Sequence, residues 1–508
     1  MEHRKRSVYN LICSGLGQIV TIAIGLLLPR LYITGYGSET NGLLTSVNQF
    51  LVYLGLFEAG VGGAALQALY GPIARSDRHG ISRILSATDR FYRRMGTLYL
   101  LSLAVFSLVY PLIARSDLPW TTVAGAAALS GLGTALLFFL HGKYRVLLEA
   151  EGKSYILTNL ATVTNVLTGL VKVVLVRLGA PVLVILAAGF GLQCLPAAYI
   201  LLYVRRGYGW IDPGAEPDAG AIAQKSSVLV HEVSGMIFQN TDVLLLTVFK
   251  GLKVVSVYAV YRLVITQIEN VLSAFSGSVS FSLGQTFQTD RAAFVRRIDR
   301  FESLFSALAG GTFAAVLPLL LPFVRLYTRG VTDVSYADGR FAVLFVAGAL
   351  LSAARRPMQQ TIHYAGHYRQ TLSRTIAESV LNLGVSLLLV RRFGIAGVLL
   401  GTVAALLYRT ADIWVYANRR ILARSWRKTA RIHAVTLAAF LLLQVVFRTA
   451  VPAPETYPKL LLTAAAEGCA SLAVCLGAQC LCFRDTAAFL REEAVRLAAR
   501  LRAGRRKE

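Results

Sequence analysis

The sequence predicts an all-α polytopic membrane protein of about fourteen transmembrane helices with both termini in the cytoplasm. Of its 508 residues, 55% are hydrophobic and only 16% charged, where a soluble chain carries roughly a quarter charged. Apolar runs of about twenty residues, long enough for a hydrocarbon core of roughly 30 Å, recur throughout. Its basic residues are concentrated in alternate segments between those runs, the positive-inside pattern.

In chain order the spans are expected near 10–33, 43–70, 95–114, 120–140, 156–176, 182–204, 227–249, 254–285, 303–324, 341–362, 375–390, 395–417, 432–447 and 460–483. The first follows Arg4-Lys5-Arg6 and stays apolar to about Ile33. That is longer than a signal h-region and lacks a small-x-small cleavage site, so it reads as a retained helix. The seventh and eighth are joined by a tight turn at Lys250–Lys253. Several spans exceed what a straight crossing needs, so their ends tilt or project beyond the membrane.

With the N-terminus inside, the cytoplasmic segments hold 35 of the 52 Lys and Arg residues and the opposite loops ten. The net charge of +25 is therefore assigned to topology and anionic lipid rather than to nucleic acid. The longest external loop is about 326–340, and no segment is large enough for a soluble catalytic domain, so no enzyme is expected. The tail, 484–508, reads as a basic amphipathic helix on the inner surface. Cys13, Cys194, Cys469, Cys475, Cys480 and Cys482 sit in or beside apolar runs without ligand spacing. No metal, disulfide or cofactor is inferred from them.

The chain also repeats itself weakly. Glu151-Gly152-Lys153-Ser154-Tyr155 resembles Ala365-Gly366-His367-Tyr368, Val176-Arg177-Leu178-Gly179 resembles Val390-Arg391-Arg392-Phe393-Gly394, and Glu58 and Glu269 follow at a similar offset of about 212. Six spans per copy gives parallel repeats, an arrangement common in secondary transporters. The expected domains are 1–225 and 226–430, an accessory helix pair at 431–483, and the tail.

Charges at bilayer depth cost a few kcal/mol or more and usually face a bundle interior or a wet cavity. Glu232, Gly235, Gln239 and Asp242 share one face of the seventh span, with Asn240 beside them; Arg262, Glu269, Ser273, Ser276 and Ser280 share one face of the eighth. Arg262 and Glu269 are seven residues apart, about 10 Å along the axis, which reads as too far for a direct pair. Each is expected to meet another helix or a ligand, with Asp242 as counter-ion to Arg262 or as a proton or cation site. Further stripes are Ser14, Gln18, Thr21 and Gly25 in the first span, and Thr158, Thr162, Asn165, Gly169 and Lys172 in the fifth. Such residues serve either as helix–helix glue or as a cavity lining. Arg409 and Asp412, in the twelfth span with Thr402 and Tyr416, can neutralise each other at i and i+3. Glu58 stands alone in the second span, and Arg355 and Arg356 lie where they can snorkel.

Phe57-Glu58-Ala59-Gly60-Val61-Gly62-Gly63, Phe238-Gln239-Asn240-Thr241-Asp242, Val254-Val255-Ser256-Val257-Tyr258-Ala259-Val260-Tyr261, Ala365-Gly366-His367-Tyr368 and Gly397-Val398-Leu399-Leu400-Gly401-Thr402 resemble segments of the polysaccharide-flippase branch of the MOP exporter superfamily. The resemblance covers nearly the whole chain. It implies two pseudo-symmetric six-helix lobes, a central cavity of alternating access and two extra C-terminal helices. It also implies transport of a polyprenyl-diphosphate-linked oligosaccharide to the external leaflet of a bacterial cytoplasmic membrane, for cell-surface polysaccharide assembly. The implied partners are that lipid-linked saccharide, membrane lipids, and a polysaccharide polymerase and glycosyltransferases, with no nucleic acid. Arg262 carries over as a candidate diphosphate contact, with Arg30 nearer the external end of its span. Glu58, Asp242 and Glu269 make the lining mixed in charge. An ion-coupled multidrug exporter of the same superfamily is the alternative.

Overall fold

The computed structural model describes residues 20–58, 61–218, 220, 240–450 and 452–505. Ordered structure among them is helical throughout. Among the described residues ten helices are long and apolar enough to cross a membrane, eleven if one bent pair is a single span. The chain is a multi-pass membrane protein.

The described part of the first span is α1, Val20–Tyr36. The second span, expected as one helix, is broken into α2 (Ser38–Leu54, with a 3₁₀ turn to Phe57) and α3 (Val61–Ala74), bent by 44°. Glycines at 55, 60, 62 and 63 explain the break, since each weakens a helix interior. Glu58 caps the 3₁₀ turn instead of standing alone mid-helix, and it faces Tyr92, Arg145 and Glu149.

Helices α4 (Arg78–Ile113), α5 (Trp120–Ala150), α6 (Ser154–Arg177) and α7 (Val182–Gly207) follow. Two of them overrun their predicted spans, because helix-forming charged residues continue the turns beyond the apolar stretch. Asp77 caps α4 by accepting from Gly80 N at 2.9 Å. A π-turn at Leu137–His141 interrupts α5. Residues 240–250 form α8, and the expected tight turn follows: Gly251 has φ +86° and its N–H donates to Leu246 O at 3.0 Å.

Next come α9 (Leu252–Thr289), α10 (Arg291–Tyr327), α11 (Gly339–Tyr364), α12 (Tyr368–Phe393), α13 (Ile395–Ile421), α14 (Arg427–Ala450), α15 (Tyr457–Cys482) and α16 (Arg484–Arg505). Helix α9 has the length for a crossing but carries Arg262, Glu269 and several serines, and is not among the ten.

The helices group into two compact units. One takes the described residues up to Ala259 with Gly330–Val334; the other takes Val260–Arg329 and the chain from Ser335 onward. In the first unit α2 is clasped to the α8–α9 turn. Asn41 Nδ2 donates to Ser256 Oγ at 2.8 Å, the Ser46 and Thr247 hydroxyls meet at 2.6 Å, and a Cβ at Gly42 would strike Leu252 O at 1.8 Å. A second seam packs Tyr92, Tyr99 and Phe138 between α4 and α5.

In the second unit the buried helix α10 packs α11, α14 and α15 around itself. Gly310 and Gly311 permit the approach: a Cβ on the first would lie 2.1 Å from Thr436, and on the second 3.0 Å from the Leu472 backbone. At the other end of α10, Asp299 and Glu302 hold Arg424, with Lys428 on Asp299 at 2.5 Å.

Candidate functional site

The first unit encloses a cavity of about 340 Å³ lined by α1, α2, α5, α6 and α7. Its charge comes from Lys172 of α6, amid Tyr32, Asn41, Asn48, Ser130 and Gln193. One member of the α6 stripe lines the cavity and the others do not, a difference set by packing, since periodicity places them all on one face. The Thr158 and Thr162 hydroxyls return to carbonyls of their own helix, at Ser154 and Thr158. Asn165 is exposed and lies outside the cavity, and Gly169 is a contact point, where a Cβ would come 2.5 Å from Ile24. Thr158 and Thr162 bond within their own helix and Gly169 meets α1, so Lys172 is the member of the stripe that lines the cavity.

Gly189 of α7 gives the lysine its place. A Cβ there would sit 3.0 Å from Lys172 Cε and 3.6 Å from Nζ, so the absent side chain leaves a groove for the lysine stem. Among the described residues, Lys172 makes neither a hydrogen bond nor an ion pair. Tyr32, 6% exposed, lines the same cavity, and its hydroxyl has no partner. Thr168, one turn before Lys172, also has a buried unpaired hydroxyl. An unpaired cation and unpaired hydroxyls can together receive an oxyanion: the ammonium supplies charge, the hydroxyls directional donors.

Asp242, also in this unit, is 6% exposed and accepts from the Tyr258 hydroxyl at 3.0 Å. Tyr53 also faces it. Asn240 is half-buried on α8, and Arg30 is half-buried on α1, one residue beyond the cavity-lining Pro29. Gln18 and Gln239, with Ser14, Glu232 and Gly235, lie outside the described residues.

The second unit treats its charges differently. Arg262 Nη1 lies 3.3 Å from Glu269 Oε2. This corrects the expectation that seven residues is too far for a pair. The axial rise was counted, but two long side chains leaning toward each other cover it. The Arg262 side chain remains 42% exposed, and Glu269 also faces Arg356. Of the α9 serines, Ser276 accepts from Gln360 Nε2 at 2.8 Å and Ser280 meets the Tyr364 hydroxyl at 2.9 Å, so both hold α11.

Arg409 and Asp412 pair as expected, with Arg409 Nη1 2.6 Å from Asp412 Oδ2. They belong to a larger chain. Arg355 Nη1 contacts Glu378 Oε1 at 2.5 Å, Arg409 Nε reaches Glu378 Oε2 at 3.4 Å, and Arg374 Nη1 meets Asp412 Oδ1 at 2.6 Å. Tyr416 extends it, lying under the Arg374 guanidinium and bonding His367 Nδ1 at 3.0 Å. Arg355 and Arg356 therefore turn inward instead of snorkelling. Glu378 and Arg374 were absent from the sequence candidates; the available signal was a carboxylate inside the predicted eleventh span. Three guanidiniums against two carboxylates leave one positive charge in excess.

No family model matches the chain, and no curated protein matches it by sequence. Solved structures do match. A lipid II flippase MurJ in an inward closed conformation aligns over 91% of this chain and 98% of its own, at 12% identity and TM-score 0.65. An inward-facing multidrug resistance MATE-family transporter of the MOP superfamily aligns over 80% of this chain and 96% of its own, at 16% identity and TM-score 0.58. A MATE in complex with MaD3S aligns over 82% and 96%, at 15% identity and TM-score 0.51. The chain has the MOP transporter fold.

Proposed function

We propose that this protein is a flippase that moves a polyprenyl-diphosphate-linked oligosaccharide to the external leaflet of a bacterial cytoplasmic membrane by alternating access, without enzymatic chemistry. The observation that carries this reading is the cavity of the first unit, whose charged lining group is Lys172 and holds no anion of its own among the described residues. An unpaired ammonium at membrane depth is costly and is relieved by an anionic ligand. A diphosphate supplies that charge, while Tyr32, Asn48, Ser130 and Gln193 offer hydroxyls and amides to phosphate oxygens or sugar. Polar groups shelter the headgroup, and the lipid tail stays in the bilayer. Arg262, half-exposed beside Glu269, is the second candidate contact, since guanidinium binds phosphate oxygens in bidentate fashion. Glycosyltransferases that build the cargo and a polymerase that consumes it are the implied partners.

The alternative, an ion-coupled exporter of organic cations, rests on the buried Asp242 carboxylate held by Tyr258. It requires a carboxylate in the binding site, whereas the cavity of the first unit presents an ammonium.

The test is reconstitution in liposomes containing a labelled polyprenyl-diphosphate sugar, with Lys172→Met and Arg262→Ala beside wild type. Lys172→Met is expected to cut flipping about tenfold or more, the worth of one charge-assisted contact, with Arg262→Ala also impaired. Wild-type flipping in both, with organic-cation efflux abolished by Asp242→Asn, would replace this reading with the alternative.

A further inference from the structure

Helix α15 buries one stripe against the rest of its unit: Leu460, Glu467, Ser471, Cys475 and Gln479, at helical spacing. Polar members of that stripe are bonded. Ser471 Oγ donates to Gly311 O at 2.8 Å; Gln479 Nε2 donates to Ile432 O and to Thr436 Oγ1, both at 2.8 Å, and its Oε1 accepts from Ser303 at 2.9 Å. Glu467 departs from the rule. It is 3% exposed, and neither carboxylate oxygen has a partner.

The carboxylate lines a cavity of about 550 Å³ whose walls come from α10, α11, α14 and the Pro452-Ala453-Pro454 turn. Arg448 lines it too, from the exposed end of α14, and no ion pair joins it to Glu467. An acid at the depth and a base at the rim share one space without touching. The remaining walls are largely apolar, including Leu317, Leu319, Val343 and Phe447.

A buried carboxylate without a partner must take either a proton or a cation. The cavity narrows the choice. Its one carboxylate is a poor donor set for a divalent ion, which takes six or more oxygens. Its volume far exceeds the roughly 30 Å³ share of one water, which suits an organic group. Arg448 supplies the complementary anion contact. An amine separated from a phosphate by two carbons satisfies both charges at once and leaves its apolar body on the leucines.

We infer that the Glu467–Arg448 cavity binds the headgroup of an aminophospholipid of the phosphatidylethanolamine type, its ammonium on Glu467 and its phosphate on Arg448. Its two charged groups come from α14 and α15, and its lining shares no residue with the Lys172 cavity. An ethanolamine ammonium donates three hydrogen bonds where a choline donates none, and a glycerol headgroup has no cation at all. The site thus distinguishes headgroups by chemistry rather than by size.

Labelling with a hydrophobic carbodiimide, which attacks protonated carboxyls, tests this on the full-length protein in mixed micelles, with modification of Glu467 read by mass spectrometry. Phosphatidylethanolamine is expected to protect Glu467 about tenfold, the free fraction left at a lipid concentration about ten times Kd. Phosphatidylcholine and phosphatidylglycerol should leave labelling high. Arg448→Gln, at an exposed position, should weaken the protection without altering labelling in lipid-free detergent, and Glu467→Gln should abolish the adduct. Soluble phosphoethanolamine run in parallel separates the sources: protection by it alone assigns the site to a free zwitterion of the same chemistry, and protection by the lipid only assigns it to the bilayer. Equal labelling in all three lipids would mean that Glu467 is simply protonated, and would overturn the inference. Equal protection by phosphatidylcholine would overturn the amine contact, and full protection in Arg448→Gln the phosphate contact.

Discussion

The first unit leaves Lys172 unpaired in its cavity, whereas the second joins Arg355, Glu378, Arg409, Asp412 and Arg374 in one continuous chain. Both are charges at membrane depth and both look alike in sequence. Their difference teaches how to sort such residues. A charge that meets opposite charges on neighbouring helices ties those helices together; one left alone is the candidate for a ligand contact. The second arrangement is rigid, since each carboxylate oxygen is used. The first is open, and on the proposed reading an anionic ligand relieves the cost of its unpaired charge.

The comparison breaks first at Arg409, where the largest effect is expected. Arg409 is 6% exposed and bridges Glu378 to Asp412. Arg409→Ala leaves Glu378 on Arg355 and Asp412 on Arg374 but cuts the bridge between them and frees one buried oxygen of each carboxylate, so it should destabilise the second unit by about 1–3 kcal/mol. Thermal unfolding in detergent, followed by size-exclusion fluorescence, should show lowered midpoint and yield. If the single variant is as stable as wild type, the chain is not structural.

Lys172 is expected to behave in the opposite way. Lys172→Met removes an unpaired cation and keeps the stem that lies against Gly189, so stability should hold or rise by about 1 kcal/mol, within the range of ordinary single substitutions, while flipping falls. Stability and activity moving in opposite directions is the signature of a ligand site. A variant that unfolds together with its activity would place Lys172 with the structural charges.

The sequence made much of this readable, for reasons visible in particular residues. Apolar runs of about twenty residues predict helices because hydrocarbon demands apolar side chains and a backbone that satisfies its own hydrogen bonds. Arg409 and Asp412 announce their pairing because i and i+3 are neighbours on one helix. Glu378 and Arg374 complete that chain from another helix, and no local spacing encodes such a meeting. Lys172 stood out on a polar stripe, yet only packing separates it from Thr158, Thr162 and Asn165, which shared its face and serve other ends. The Arg262–Glu269 contact was missed because backbone rise was measured and side-chain reach was not. Glu467 was passed over altogether: a single carboxylate in an accessory span looks unremarkable until Ser471 and Gln479, the other polar residues of its stripe, are seen to be bonded.

A third kind of charge sharpens the comparison and carries the smallest effect. Asp117, between α4 and α5, accepts from Lys253 Nζ at 2.8 Å at the start of α9, and the pair is paired but solvated. The hydrogen bond from Lys253, with its nearby charge, holds the Asp117 carboxyl below its ordinary 3.8, and the same contact raises Lys253 above its ordinary 10.5. The sign follows from linkage. Asp117 binds its proton less readily when folded, so its contribution is present above the ordinary carboxylate range and is lost as pH falls through the folded value. Lys253 holds its proton more tightly when folded, so its contribution is present below the ordinary lysine value and is lost as pH rises through the folded one. Between these limits the pair's contribution is constant. Asp117→Asn should therefore lower the unfolding midpoint slightly at neutral pH, and the gap from wild type should close in acid, as pH falls through the lowered folded value and the native carboxylate takes its proton. High salt should shrink the gap too, since exposed charges are screened over roughly 10 Å at 0.1 M. A gap that persists unchanged in acid and in salt would mean that Asp117 acts through the shape of its loop. Pairing alone would then not explain it, and burial would no longer be what separates this pair from the Arg409 chain.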